Sequence, residues 1–346
     1  MIALWDSTGA EVVRKLAAER RSGSVASGLA LTLVVVVDEP RVRQVEDAVT
    51  IAASAHPCRL LVVTRLPAYQ PDTPSRLDAE ITVGGRLGPC EAVIMRMHGR
   101  LALHAESVVM PLLAPDVPVV TWWHGPPPDQ ISQDPLGVVA ERRITDCAQA
   151  ENPEAALAQR AADYAAGDTD LAWTRTTAWR TLVAGALDPG ATGPSAAVTS
   201  VTVTAPAADA SAALLRGWLA ARLGVDPQHE DPVRPVLESV RLGLADGGEI
   251  SIVRRNGSAT MQRTGQRERT MPLVQRSLGD EIAEELRRLN ADQPYARALS
   301  ATTGVPDLTA RPATRVHTWV DPAPGNGSPA PAAARAGGGA AAQGPA

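Results

Sequence analysis

The sequence is poor in cysteine and aromatic residues: its 346 residues include three Cys, three Tyr and no Phe. Cys58, Cys90 and Cys147 lie far apart and form no C-x-x-C pair. An odd number of cysteines without a spacing pattern argues against a disulfide framework and against a cysteine-based zinc site. We therefore expect buried free thiols, with redox sensing as the less favoured alternative.

Long apolar runs and an excess of basic charge are also missing. No window approaches the apolar length that crosses a bilayer, and the N-terminus lacks the pattern of a signal peptide. The net charge of −5 argues against nucleic-acid binding, which needs a basic face. We therefore expect a cytoplasmic protein with neither a nucleic acid nor a membrane as partner.

The sequence motifs of familiar enzymes are absent as well. The glycine cluster at 84–88 lacks G-x-G-x-x-G spacing, and there is neither a Walker-type phosphate loop nor a G-x-S-x-G elbow. The six histidines form no compact ligand set, and His98 and His104 could meet only through the fold. We therefore expect a chain with no cofactor, no metal ion and no catalytic residues.

The remaining composition suits a mixed α/β protein of two domains, because Ala and Leu favour helices, Val favours strands, and 346 residues exceed one ordinary core. Apolar runs of strand length occur at 29–37, 59–64, 79–83, 92–97 and 118–122. A helical stripe after Pro40 separates the first two runs, which predicts a parallel βαβ unit. A mostly helical extension follows at about 131–187. We predict a doubly wound, mostly parallel α/β domain over residues 1–188.

A smaller second domain is predicted at 198–302, after a linker rich in Gly and Pro at 189–197. Strand patterns occur at 198–204, 237–244, 249–254, 258–263 and 269–273. Asp209 can cap one helix, and Ser277 with Asp280 can form a capping box for another. Because the turns between the last four strands are short, we predict an α+β domain with an antiparallel meander plus helices.

The end of the chain consists almost entirely of Pro, Gly and Ala. Such a segment buries too little surface to offset the entropy of ordering, so residues 321–346 are predicted to be disordered. Residues 303–320 form an extension whose structure the pattern does not determine.

One aromatic pair stands out just past a predicted buried strand, at Trp122, Trp123 and His124. In an open α/β sheet, ligands and partners bind at the carboxyl ends of the strands. Adjacent residues of a strand point to opposite sides, so both Trp side chains cannot enter one core face. Either one Trp lies exposed at an interface, or helices cover both.

Two adjacent arginines, Arg142 and Arg143, stand between Glu141 and Asp146. Such a pair can bind a phosphate or carboxylate. It can equally form an internal network with the two acidic residues, and this alternative is favoured because nothing else signals an anion.

A third candidate region runs over residues 164–180. Asp168 or Thr169 can cap a helix whose first turn also accommodates Asp170. Trp and Arg on adjacent faces of that helix are the residue types that anchor interfaces, although one face can equally be buried within the domain. The candidate residues for contact with a partner or an anion are Trp122, Trp123, His124, Arg142, Arg143, Asp146, Asp168, Asp170, Trp173, Arg175, Trp179 and Arg180.

Several segments resemble, in the same order, the glucose-6-phosphate dehydrogenase assembly protein (OpcA) family. These segments are His56–Arg59, Pro74–Ala79, Trp122-Trp123, Arg142–Asp146, Gly167–Arg175, Leu214–Ala220 and Ala283–Leu289. Each alone is a weak signal, whereas several in one order are fairly specific. The resemblance covers about residues 1–302.

The resemblance implies a non-catalytic partner of glucose-6-phosphate dehydrogenase that promotes its active oligomer or activates it allosterically, in the oxidative pentose phosphate pathway and NADPH supply. Family members in photosynthetic bacteria are linked to thioredoxin-type redox control, but this sequence has no cysteine after Cys147. Its Arg-rich and Ala-rich composition suits an actinobacterium. The alternative is a sensor or enzyme that binds a sugar phosphate or another anionic metabolite at the carboxyl-terminal edge of the first sheet, with Arg142, Arg143 and His124 as ligands.

Overall fold

The structure is a computed structural model that describes residues 1–22, 28–65, 74–84, 90–188 and 196–313. The predicted disordered tail lies outside the described residues, as do most of the predicted linker, most of the glycine cluster and the end of the predicted extension. A large, mostly parallel sheet and a smaller, mainly antiparallel sheet, each with helices, confirm the predicted fold class.

The first sheet has eight strands. In chain order they are β1 (Ile2–Ser7), β2 (Leu31–Val37), β3 (Cys58–Arg65), β4 (Arg76–Val83), β5 (Glu91–His98), β6 (Val119–His124), β7 (Arg142–Thr145) and β8 (Asp168–Asp170). Their spatial order is β1-β4-β5-β3-β2-β6-β7-β8. Strand β4 is antiparallel to both its neighbours, whereas the strands from β5 across to β8 run parallel.

Seven α-helices occur among the described residues up to 188. They are α1 (Gly9–Ser22), α2 (Val42–Ala53), α3 (Ala105–Val109), α4 (Pro135–Val138), α5 (Pro153–Asp163), α6 (Leu171–Arg175) and α7 (Thr177–Leu187). Side chains of β2 alternate between two cores because successive residues of a strand point to opposite faces. Leu33 and Val35 pack in the core beneath α2, and Val34 packs in the core beneath α1 and α3.

The direction of winding reverses between β2 and β6. Helix α2 leads from β2 to its parallel neighbour β3, while β6 pairs with the opposite edge of β2. Such a reversal leaves a crevice at the carboxyl ends of the two strands, and open α/β sheets bind their ligands there. We call this place the switch point.

The sequence pattern missed three strands of the first sheet, β1, β7 and β8. Strand β1 precedes α1, which begins at Gly9, and the region predicted as mostly helical contains β7 and β8. The charged segment that begins with Arg142 and Arg143 is β7, which is entirely buried. The polar strands β7 and β8 escape pattern recognition because their side chains are satisfied by tertiary hydrogen bonds rather than by an apolar face.

The second sheet has six strands. They are β9 (Val198–Thr204), β10 (Gln228–Glu230), β11 (Ser239–Leu244), β12 (Glu249–Arg255), β13 (Ser258–Arg263) and β14 (Arg269–Pro272), in the spatial order β10-β9-β11-β12-β13-β14. The predicted meander is confirmed, and the short exposed strand β10, parallel to β9, was not predicted.

Three further helices are α8 (Ala210–Leu223), α9 (Leu278–Leu286) and α10 (Gln293–Thr303). Both predicted caps are confirmed. Asp209 accepts hydrogen bonds from the first turn of α8, and Ser277 with Asp280 forms the capping box of α9. None of the helices among the described residues is long and apolar enough to cross a bilayer.

Two helices cross the predicted division between the domains. Trp179, Leu182 and Val183 of α7 pack in the core of the second sheet, although α7 precedes the predicted linker. Conversely, Ile282 and Leu286 of α9 pack in the same core of the first sheet as α2. The division at 189–197 remains a prediction, because each side of it contributes a helix to the other.

Candidate functional site

Both tryptophans of β6 are buried, with exposed fractions of 0% for Trp122 and 1% for Trp123. Trp122 packs in the core beneath α2 and α9, and Trp123 lies against Gly137 of α4 on the opposite side. Their side chains do point to opposite faces, but helices cover both. The alternative in which one Trp is exposed is therefore wrong for this structure.

His124 ends β6 and is also buried. Its Nε2 lies 3.0 Å from Oε1 of Gln44, a side chain of α2. Burial, followed by the charge of Arg41, lowers the pKa of His124. We therefore expect a neutral imidazole at neutral pH, which is a poor ligand for an anion.

Arg143 connects β7 to β8 inside the domain. Its Nε donates to Asp168, and its Nη2 donates to the Ala166 carbonyl at 2.8 Å. Gly167 permits this approach because it has a φ of 103°, and a Cβ there would lie 2.3 Å from the Glu141 carbonyl oxygen. Burial raises the pKa of Asp168 against the opposing effect of Arg143. Arg143 thus has a structural role, because it links β7 to β8 and to the segment before β8.

Arg142 is buried too, and its partner comes from α9. The Arg142 Nε donates to Glu285 at 3.0 Å, and its Nη1 donates to the Asn290 carbonyl at 3.1 Å. The Thr174 hydroxyl donates to the other carboxylate oxygen of Glu285 at 2.5 Å. The predicted internal network exists, but the partners of the two arginines are Asp168 and Glu285 rather than Glu141 and Asp146.

Arg175 forms a further ion pair between the domains, closer to the surface than that of Arg142. It donates to both carboxylate oxygens of Asp146, at 2.7 and 2.8 Å, and to both of Glu281, each at 2.8 Å. Burial disfavours the cation, but the hydrogen bonds and charges of the two carboxylates outweigh burial and raise the pKa of Arg175. We call Arg142, Arg175, Asp146, Glu281 and Glu285 the interdomain network.

Asp170, not Asp168 or Thr169, caps the helix that follows β8. Its carboxylate accepts hydrogen bonds from the Ala172 N–H at 2.9 Å and the Thr145 hydroxyl at 2.6 Å. Burial, and then the nearby charge of Asp146, raises the pKa of Asp170. Asp170 is therefore a buried structural residue that connects β7 to the start of α6 at the end of the first sheet.

Trp173 and Arg180 stack on each other. The Arg180 guanidinium lies 3.6 Å from the centre of the Trp173 ring, and the indole N–H donates to Asp292 at 2.9 Å. Burial lowers the pKa of Arg180 to about 10, so the side chain is still a cation at neutral pH. The hydrogen bond to Asp292 joins the two domains, and the buried Trp173 presents no aromatic surface.

Of the twelve predicted residues, Arg175 and Trp179 line a groove of about 200 Å³ between the domains. Its rim includes Val236 and Val274, whose exposed fractions are 37% and 70%, and the charged side chain of Arg276. We call this depression the interdomain groove. It combines exposed apolar side chains with arginines, a composition that is common at the anchors of protein interfaces.

A larger cleft of about 700 Å³ opens at the switch point. Arg41 and Gly125 line the cleft on the β2 and β6 side, Asp146 and Gln149 follow β7, and Arg160 projects from α5. Sequence reasoning placed an anion site at this edge but chose Arg142, Arg143 and His124, none of which lines the cleft. Arg41 and Arg160 were missed, because nothing local in the sequence distinguishes them.

The two cysteines Cys58 and Cys90 also meet through the fold. Their Sγ atoms lie 3.7 Å apart in the core, and both thiols are free, as is Cys147. The hydrogen bond between the thiols lowers the pKa of Cys90 to about 7, while the same bond and burial raise that of Cys58. Adjacent parallel strands, not sequence spacing, create this pair.

Among the described residues, no group of three or more His, Cys, Asp or Glu side chains is arranged to hold a metal ion.

Comparison with known proteins agrees with the resemblance seen in the sequence. Residues 49–162 match the model described as the glucose-6-phosphate dehydrogenase subunit N-terminal domain, and residues 166–299 match the corresponding C-terminal domain. No solved structure matches the chain.

Two cyanobacterial relatives are provisionally named OxPP cycle protein OpcA. The Synechococcus elongatus protein is 29% identical over 190 residues, which are 51% of this chain and 42% of the relative. The Synechocystis sp. protein is 28% identical over 189 residues, which are 51% of this chain and 39% of the relative. Each match therefore spans about two fifths of the relative. With both of its domain models matched in order, the chain belongs to the OpcA family of glucose-6-phosphate dehydrogenase assembly proteins.

Proposed function

We propose that this chain is a non-catalytic assembly factor and allosteric activator of glucose-6-phosphate dehydrogenase. The observation that carries the proposal is the match of both its domains to models described as subunit domains of that enzyme. A binding partner can activate an enzyme only by binding its active conformation or oligomer more tightly than the inactive one. The proposal places the chain in the cytoplasm, in the oxidative branch of the pentose phosphate pathway.

The contacts between the domains support this role. The interdomain network and the docking of α9 on the first sheet hold the two domains as one block. A preformed block loses little conformational freedom when it binds, so more of its contact energy is available to shift the equilibrium of a partner.

We propose the interdomain groove as the surface that meets the dehydrogenase. Ten of the twelve predicted contact residues are buried in the fold, and Arg175 and Arg180 are partly exposed. Arg175 reaches the surface in the groove, beside Val236 and Val274. Exposed valines next to arginines are suited to a partner surface that is itself partly apolar and carries acidic groups.

Co-expression with the dehydrogenase of the same organism tests the proposed function. We expect the two chains to co-elute in size-exclusion chromatography, and we expect the purified chain to raise dehydrogenase activity in a dose-dependent way. Separate elution together with unchanged activity would contradict the proposal.

The proposed surface is tested with Val274→Asp, which places a charge in the groove without touching the interdomain network. We expect this variant to keep its Tm but to lose co-elution and activation. Met110→Asp is the matched control, because Met110 is a similarly exposed apolar residue on the first domain, with 48% of its surface exposed. Loss of co-elution in the control alone would place the contact elsewhere.

A further inference from the structure

We infer that the cleft at the switch point is a binding site for a small organic oxyanion, a phosphate ester or a carboxylate, with Arg160 as its anchor. This inference concerns the chain alone and does not depend on the dehydrogenase. It rests on the unpaired charge of one buried arginine, on the shape of the cleft and on its position in the sheet.

Arg160 lies on α5 and is 5% exposed. Its Nη2 donates to the carbonyls of Pro128 and Asp129, at 3.0 and 2.8 Å, while its Nη1 has no hydrogen-bond partner. Within the described part of the chain, no carboxylate lies at ion-pair distance from Arg160. A buried guanidinium is normally paired with an anion, because the energetic cost of removing a full charge from water is otherwise not offset.

Arg143 shows what this chain does with a buried arginine that has a purely structural role. It too donates to backbone carbonyls, but its charge is balanced by Asp168. Arg160 has hydrogen bonds to carbonyls but no carboxylate partner, and it lines a cleft. An oxyanion in the cleft would supply the missing partner.

The cleft has the size and lining of a small-molecule site. Its volume of about 700 Å³ lies within the roughly 300–1,000 Å³ typical of such sites. Pro126, Pro127 and Ala156 provide an apolar wall, while Gln149 and Gln159 add amide groups. The ligand is therefore expected to carry an organic body besides its charged group.

The charges around the cleft favour an anion that points inward. Arg41 lines the cleft as an exposed residue, and Arg160 lines it as a buried one. The buried carboxylate of Asp146 is already bound by Arg175 and Gln149. The other two carboxylates of the lining, Asp129 and Glu151, belong to exposed residues at the rim, where solvent screens them.

The test measures binding of ribose 5-phosphate and of citrate to the full chain by isothermal titration calorimetry, with ribose as the uncharged control. We expect at least one of the two anions to bind and to raise the Tm, and ribose to bind detectably more weakly. Arg160→Gln should weaken binding of that anion by about tenfold to a hundredfold, the loss expected for a charge-assisted hydrogen bond. No binding of either anion to the wild-type chain would overturn the inference.

Two further variants keep the test decisive. Arg311→Gln is the matched control, because the Arg311 Nη1 also donates to backbone carbonyls at the end of α5, at 2.9 Å, but the residue does not line the cleft. It should bind the anion as the wild type does. Arg41→Gln changes an exposed side chain and should fold even if Arg160→Gln does not. Wild-type affinity in Arg41→Gln together with lost affinity in Arg311→Gln would place the anion elsewhere and overturn the inference.

Discussion

At the scale of single residues, the charged side chains that stand out in the sequence are mainly structural. Arg142 and Arg143 look like an anion-binding pair when only their neighbours along the chain are considered. In the fold, each has a carboxylate partner of its own, Glu285 and Asp168. The sequence separations of 143 and 25 residues explain why no local pattern could reveal these pairs.

The first prediction concerns Glu285. Replacing it by Ala leaves Arg142 as a buried cation without a carboxylate and removes the closer of the two acceptors of the Thr174 hydroxyl. Breaking a buried ion pair by removing one partner costs about 3–5 kcal/mol. We therefore expect Glu285→Ala to lower the free energy of unfolding by that amount in urea denaturation.

Its neighbour Glu284 provides the control. Glu284 pairs with Arg287 one turn along α9, and both side chains are partly exposed. Solvent-exposed pairs contribute about 0–1 kcal/mol, so Glu284→Ala should be nearly neutral. Equal destabilisation by the two substitutions would show that Arg142 is not held by Glu285.

At the scale of secondary-structure elements, the docking of α9 on α2 has no counterpart in the local sequence. The capping box of α9 and its apolar stripe were predictable, because both depend on residues three or four positions apart. The surface that the stripe covers was not predictable. Ile282 and Leu286 pack in the core of the first sheet, whose strands and helix α2 lie far away in the sequence.

The second prediction tests this helix contact. A Cβ on Gly279 would lie 2.6 Å from the Ile51 Cβ and 2.7 Å from the Ala48 carbonyl oxygen on α2. Neither backbone can yield easily, and such overpacking costs about 1–3 kcal/mol. We expect Gly279→Ala to lower the Tm in differential scanning calorimetry.

Gly185→Ala is the matched control because the same substitution is made in an exposed helical position. A Cβ on Gly185 meets nothing within 4 Å. Removing backbone freedom there should stabilise the chain by about 0.5–1 kcal/mol. If Gly279→Ala also stabilised the chain, the close contact between α9 and α2 would be refuted.

At the scale of the whole molecule, the two domains form a single block. The second domain contributes α9 to the first sheet, and the region before the linker contributes α7 to the second sheet. Each domain therefore buries apolar surface that the other supplies, so we expect both to unfold in one transition.

The third prediction follows from this exchange of helices. A chain that ends at residue 188 lacks α9, which exposes the core beneath α2 and leaves Arg142 unpaired. We expect this fragment to melt at a lower temperature than the full chain and to bind the hydrophobic dye ANS. A chain that ends at residue 313 keeps every described residue and should melt like the full chain. A fragment 1–188 with the full Tm would contradict the single-block description.

The sequence by itself determined the elements that rest on local rules. The parallel strands β2, β3, β5 and β6 follow from continuous apolar runs, the meander from its short turns, and the caps at Asp209 and Ser277 from residue type and spacing. The family was likewise visible in ordered short segments. These features were predictable because their cause lies within a few residues of the chain.

Only the tertiary structure decided which charged side chains form ion pairs and which buried side chain has no carboxylate partner. Burial and pairing depend on what the rest of the fold brings near, and electrostatic energy in the interior depends on that environment more than on residue type. Arg142 and Arg143 therefore lost the anion-binding role that their sequence suggested. Arg160, which no pattern distinguishes, is a buried guanidinium whose Nη1 has no partner among the described residues, and α5 places it beside the cleft at the switch point.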